Sequence, residues 1–173
     1  MASTLKVNTI AHSGGTNAMT IDSTGRILLP QLPIACVTLT TSNTQDGTHP
    51  YSTTGADMLL DKITVNRGSV YNASNGQFTA PVTGLYRFKY TFLRDDSSAA
   101  NVTYFQVYKN GVAWSEAGGA SYTSAGTTNY SVTTNETIVS MNANEYLTVR
   151  LFGGEIYLDG SGVYHSVIFE LVG

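Results

Sequence analysis

Charge is scarce in this chain. Asp, Glu, Lys and Arg make up 12% of its 173 residues, about half the usual share. The 9 basic and 12 acidic residues sum to −3 and form no basic stripe. The chain therefore lacks the electrostatic footprint of a nucleic-acid binder. A single cysteine, Cys36, excludes an intrachain disulfide. No apolar run is long enough to span a membrane as a helix. No basic start followed by an apolar stretch marks a secretory leader, so the sequence reads as one made in a cytoplasm. Nucleophile-elbow, dinucleotide-loop and zinc-protease motifs are all missing. The three histidines, His12, His49 and His165, are far apart and have no partner at ligand spacing. Neither an enzyme, a metal nor a cofactor is expected.

Thr, Ser, Asn, Gly and Tyr fill the space that charge leaves, with 17 glycines and 11 tyrosines. This composition suits many short strands joined by polar turns. Alternation predicts a first strand at 35–40 with Ala35, Val37 and Leu39 on one face; over 58–65, Ile63 and Val65 are expected to point inward. Residues 71–76 read as a loop and 77–80 as a short strand. Leu85–Leu93 is the clearest strand, with Tyr86, Phe88, Tyr90 and Phe92 on one face and Arg87, Lys89 and Thr91 on the other. Val102–Tyr108 follows, then Asn110-Gly111, a two-residue hairpin turn. Residues 118–129 read as a loop of small residues and 130–139 as one or two strands. Leu147, Val149 and Leu151 make another inward face. Val163–Val172 reads as a last strand, apolar on both sides. No helix is predicted, and about ten strands at this spacing imply a sandwich or barrel.

The composition shifts near Pro30 and Pro33, which divides the chain into an N-terminal segment, 1–33, and a body, 34–173. The segment has sparse alternating apolar residues, Leu5, Val7 and Ile10, then Met19 and Ile21, then Ile27. Strands are expected at Leu5–Val7 and Met19–Ile21, with turns at Gly14-Gly15 and Ser23-Thr-Gly25. Such a segment cannot bury a core alone.

Leu60, Asn66, Tyr71, Phe78, Gly84, Tyr86, Phe88 and Tyr90 stand at set intervals. With Leu60 where Phe is usual, they follow the pattern aromatic, acid or amide, aromatic, Phe, then Gly-x-Tyr-x-Phe-x-aromatic. This resembles the signature of the globular head of the complement C1q family. The resemblance implies an all-β, C1q/TNF-like jelly-roll β-sandwich that assembles as a compact homotrimer, here with an extended N-terminal β-strand arm. The family's usual Gly-Asp turn is replaced by Asn144-Glu145. The strands that are apolar on both faces and the tyrosines also argue for a trimer, because one sandwich interior covers only one face of each sheet.

The segments Ser3–Ile10 and Ala18–Ile27 resemble a stretch found in virion and fibre proteins of tailed bacteriophages. That resemblance implies a virion-surface protein made in the host cytoplasm. Leu5, Val7, Ile10, Met19, Ile21 and Ile27 would dock it on phage capsid or tail proteins. The role expected is a trimeric capsid decoration, or cement, protein. The alternative is the receptor-binding tip of a fibre, touching host glycan or protein. Trp114, Tyr122 and Tyr130 form a candidate sugar-stacking platform, against the plainer reading of a loop capped on the body. Asp95-Asp96 reads as a solvated turn, with a calcium site as the alternative. Cys36 reads as a small buried hydrophobe. Gly84 reads as a turn glycine and Pro81 as a residue that fixes φ. Four Asn-x-Ser/Thr sequons, at Asn72, Asn101, Asn129 and Asn135, read as turn composition.

Overall fold

The computed structural model describes residues 6–29, 31–40, 54–95, 102–116, 119–124, 131–158 and 160–173. Side chains are not described at 102 and 120–124. Leu5, Tyr130, Asp96, His49, Asn101 and Asn129 lie outside the described residues, as do residues 41–53. The chain divides into two compact units, 1–32 and 33–173.

The first unit holds three short antiparallel strands, β1 (Thr9–Ala11), β2 (Asn17–Ile21) and β3 (Ile27–Leu28), in the order β1-β2-β3. Val7 lies outside any strand, so the strand expected at Leu5–Val7 begins two residues after Val7. Thr24 and Arg26 both donate backbone N–H groups to the Asp22 carboxylate, at 2.9 and 3.0 Å, and close the β2–β3 turn. None of this unit's described residues is buried.

The second unit is a two-layer antiparallel sandwich. Its strands are β4 (Ile34–Thr38), β5 (Lys62–Arg67), β6 (Tyr71–Asn72), β7 (Gln77–Thr79), β8 (Gly84–Leu93) and β9 (Val102–Lys109). They continue with β10 (Val112–Ala113), β11 (Ala120–Ser124), β12 (Val132–Met141), β13 (Tyr146–Phe152) and β14 (Ser166–Leu171). One sheet runs β12-β8-β14-β4-β5. The other runs β10-β9-β13-β7-β6, with β11 also paired to β9. Among the described residues there is no helix.

The expected inward faces are the core. Tyr86, Phe88, Tyr90 and Phe92 of β8 are all buried, as are Ala35, Val37 and Leu39, and Leu147, Val149 and Leu151. Aromatic rings join the two layers. Phe92 stacks on Phe105 of β9 at 4.8 Å, and Phe78 of β7 meets Phe88 edge-on at 5.3 Å. Asn110 and Gly111 take φ of 51° and 77°, the left-handed pair that a two-residue hairpin needs.

Several expectations are corrected. Ile63 and Val65 do not point into the core: they are 46% and 37% exposed. Their strand, β5, is an edge strand, and its register against β4 shifts between Cys36 and Val37. Met58 and Leu60, just before β5, are buried instead. The stretch 71–76 opens with a strand, because Tyr71 and Asn72 pair with Phe78 and Gln77. Residues 120–124, expected as loop, form β11 along β9. Pairing to a neighbour stabilises that polar segment where its own propensity does not. The last strand starts at Ser166, after a turn in which Gly162 has φ 71°. Cys36 is only half-buried. Asn144, where the family's usual turn has Gly, takes φ 70°, a conformation Asn tolerates better than most residues.

Candidate functional site

The signature residues hold the sandwich together. The side-chain amide of Asn66 pairs with the backbone of Tyr71 like a strand neighbour: Oδ1 accepts Tyr71 N–H at 3.0 Å and Nδ2 donates to Tyr71 O at 2.8 Å. The Tyr71 hydroxyl in turn accepts Leu60 N–H at 2.8 Å and donates to Leu60 O at 2.9 Å. Burial pushes the Tyr71 phenol well above its ordinary pKa. Phe78 packs on Tyr71 at 4.5 Å, and Tyr86 stacks flat on Phe169 at 4.8 Å and 6°. Tyr86 donates its hydroxyl to Val82 O at 2.7 Å, and burial raises its pKa too. Gly84 is not a left-handed turn residue. It opens β8 with an ordinary φ, and the need for glycine there comes from close approach of Leu171 and Gly173.

Of the candidate platform Trp114, Tyr122 and Tyr130, only the Trp114 side chain is described, and it fits the plainer reading of an aromatic packed on the body. Trp114 is only 9% exposed. Its backbone N–H donates to Val107 O at 2.9 Å, and its carbonyl accepts Gln106 Nε2 at 2.7 Å. Its indole N–H has no hydrogen-bond partner among the described residues. Tyr122 lies in β11 opposite Tyr104, its side chain undescribed. Trp114 does, however, line a cleft of about 590 Å³ together with the turn after β9, β10, and the turn after β12. Lys109 there pairs with Glu145 at 2.8 Å. Glu145 also accepts Asn142 N–H at 2.7 Å and Asn110 Nδ2 at 3.2 Å. The Lys109 ammonium, then the Asn142 amide, hold its carboxyl below the usual range.

A second aromatic group, missed in the sequence, lies on the six-stranded sheet. Tyr104, Tyr108 and Phe152 cluster with ring centroids 5.9 and 6.3 Å apart, and the Arg150 guanidinium sits 3.7 Å over Tyr108. Asp57 accepts Arg150 Nε at 2.6 Å and Thr148 Oγ1 at 2.7 Å, and that bond raises the Arg150 pKa. The signal was the outward register Tyr104-x-Gln106-x-Tyr108, hidden between inward Phe105 and Val107.

Asp95 is buried, not a solvated turn acid, and its N–H donates to Glu155 O at 3.0 Å. Among the described residues no cluster of three His, Cys, Asp or Glu could hold a metal. His165 lies before β14 rather than in it and is buried. Its Nδ1 accepts Leu93 N–H at 3.3 Å, and its Nε2 contacts Tyr157 O. In the first unit, Ile10 faces Met19 and Ile27 faces Ile21 across the strands, so all four share one sheet face. Ile10 and Ile27 are exposed, while Val7, Met19 and Ile21 are half-buried.

Two sandwiched antiparallel sheets, a buried aromatic signature and no helix among the described residues define an all-β jelly-roll domain of the C1q/TNF type. The chain belongs to the C1q domain family, whose model matches residues 41–167. The globular domain of zebrafish complement 1qA protein superposes with a TM-score of 0.56 at 10% identity, covering 80% of this chain and 94% of that one. Murine APRIL at pH 5.0 superposes with a TM-score of 0.58 at 11% identity, covering 82% and 99%. Murine APRIL at pH 8.5 gives 0.56 at 15% identity with the same coverage. At these identities the likeness speaks to the fold alone.

Proposed function

We propose that this chain is a trimeric decoration protein on the surface of a tailed-phage virion, with residues 34–173 as the head and residues 1–33 as the docking arm. The observation that carries the reading is the first unit: three paired strands with an apolar face, Ile10, Met19, Ile21 and Ile27, and no buried residue among those described. Such a sheet is too small to cover its own apolar face, so a partner surface stabilises it. A neighbouring capsid protein supplies that surface by cover or by strand addition. Three arms on one trimer turn weak single contacts into tight attachment. The trimer itself is supported by the outer face of the five-stranded sheet, where Leu85 and Ile138 are 46% and 52% exposed. An obligate interface of this kind buries more than roughly 2,000 Å².

The second reading, a receptor-binding fibre tip, is favoured by the aromatic group of Tyr104, Tyr108 and Phe152 on the opposite sheet. Copy number separates the two: hundreds of copies per virion fit decoration, and a handful or a few dozen fit a fibre. For the arm, protein lacking residues 1–33 is mixed with undecorated particles and sedimented beside the full chain. Loss of co-sedimentation with the trimer intact supports docking through the arm. Equal co-sedimentation assigns docking to the head and overturns the arm proposal.

A further inference from the structure

The cleft beside Trp114 has the chemistry of a site for an uncharged, hydroxyl-rich ligand. Its volume, about 590 Å³, falls in the roughly 300–1,000 Å³ range of small-ligand pockets. Its charges are largely used up internally. Lys109 is committed to Glu145 at 2.8 Å and to Ser140 O at 3.0 Å, and Glu145 accepts two further N–H donors. The charge left on the wall is the carboxylate of Glu116, which repels an anion. No acidic cluster among the described residues could hold a cation. What remains for a ligand is neutral: the hydroxyl and amide side chains of Ser115, Ser140 and Asn142, which offer both donors and acceptors. Beside them run Val112, 70% exposed, and Ala113, an apolar strip suited to the C–H face of a ring. Trp114, in the same wall, is 9% exposed and its indole N–H is enclosed, so it offers a ligand packing surface and not a hydrogen bond.

The wall is also held in place before any ligand arrives. Asn110 and Asn144 both take left-handed φ, 51° and 70°. The Asn110 side chain ties the two turns together, accepting Tyr146 N–H at 2.9 Å and donating to Glu145 at 3.2 Å. A preorganised site loses less entropy on binding. The cleft opens at the sandwich edge, where β10 of one sheet and the end of β12 of the other come together.

We infer that this cleft binds a neutral saccharide, one sugar residue or two, with no carboxylate or sulfate. This holds whether the protein decorates a particle or tips a fibre. Trp114 is the single tryptophan of the chain, so its fluorescence reports on the cleft directly. The full-length protein is titrated with the methyl glycosides of glucose, galactose, mannose and N-acetylglucosamine, and with N-acetylneuraminic acid. At least one neutral glycoside is expected to give a saturable change with roughly millimolar half-saturation, and the same sugar to show saturation-transfer NMR signals. N-acetylneuraminic acid is expected to bind at least about tenfold more weakly. Asn142→Ala and Val112→Asp alter exposed positions, so their melting is expected to match the parent, and each is expected to weaken binding at least about tenfold. No saturable response by either method to any neutral glycoside overturns the inference. So does parent-like affinity in either variant, or tighter binding of N-acetylneuraminic acid.

Discussion

The Gly84 backbone lies so close to Gly173 that a Cβ on Gly84 would stand 2.7 Å from the Gly173 carbonyl oxygen, and 2.7 Å from Leu171 Cδ1. Leu85 N–H donates to that same carbonyl at 2.6 Å. Glycine is therefore required by contact and not by φ. Gly84→Ala is expected to cost about 1–3 kcal/mol by overpacking, and Gly84→Val to cost more and lower soluble yield. Urea unfolding of the Ala variant with an unchanged midpoint would show that the contact gives way freely.

Tyr86 and Phe169 stack face to face across β8 and β14 in the core. Truncating a buried aromatic costs about 3–5 kcal/mol, so Tyr86→Ala is expected to abolish the folded head. Tyr86→Phe keeps the ring and loses the hydroxyl's bond to Val82 O and the longer one it accepts from Val82 N–H, at about 0.5–1.5 kcal/mol each. A calorimetric melt separates ring from hydroxyl. Equal losses in the two variants would mean that the stack contributes nothing.

Asn66, Tyr71 and Leu60 form a relay of four hydrogen bonds between side chains and backbone. Asn66→Ala leaves Tyr71 N–H and C=O without their side-chain partner, and Tyr71→Phe does the same to Leu60. Each is expected to cost about 1–3 kcal/mol. Because the bonds share Tyr71, the double variant is expected to lose less than the sum. Strict additivity in a double-mutant cycle would break the relay into two independent pairs.

The relay also shows what was legible in the sequence. Fixed spacing marked Asn66 and Tyr71 as a signature, and period-two alternation marked the core face of β8, since both are local properties of one strand. Edge position is not local. Ile63 and Val65 alternate like core residues, and only the sheet order shows that β5 lies at an edge. The polar run at 120–124 becomes a strand because β9 offers a free side, which no property of the run reveals. The cleft was half legible. Trp114 was singled out, as a platform residue or as a loop cap on the body, but the residues around it come from turns more than thirty positions apart in sequence, around Asn110 and Glu145.

Asp22 makes the first unit sensitive to acid. The Thr24 hydroxyl, followed by the Arg26 amide and guanidinium, lowers its carboxyl from 3.8 to about 2. A depressed folded pKa means that the ionised form holds the turn. Its contribution is complete above the unfolded value of 3.8 and is lost as pH falls through about 2. NMR titration is expected to show the Asp22 carboxyl and the Thr24 and Arg26 amides moving together near pH 2. Titration of Asp22 at its ordinary value would mean that the β2–β3 turn does not form in solution.

The outer face of the five-stranded sheet gives the most direct test of assembly. Ile138 pairs with Arg87 in register, and Ser140 with Leu85, so Leu85 and Ile138 are diagonal neighbours on adjacent strands. Both are about half exposed in the single chain, so neither contributes to the sandwich core. Beside them, Lys89 pairs with Glu136 at 3.4 Å, and Arg87 contacts Glu170. Partly exposed ion pairs of this kind contribute little to folding, but they set the charge pattern that a neighbouring subunit must match. Leu85→Asp with Ile138→Asp leaves the core untouched and places two carboxylates where the trimer proposal needs an apolar contact. If this face is the subunit interface, light scattering is expected to show monomers. Because the interface is obligate, the separated subunits are expected to lose native far-UV circular dichroism in part and to melt lower than the parent trimer, since association no longer stabilises the fold. An unchanged trimer with an unchanged melting point would exclude this face from the interface.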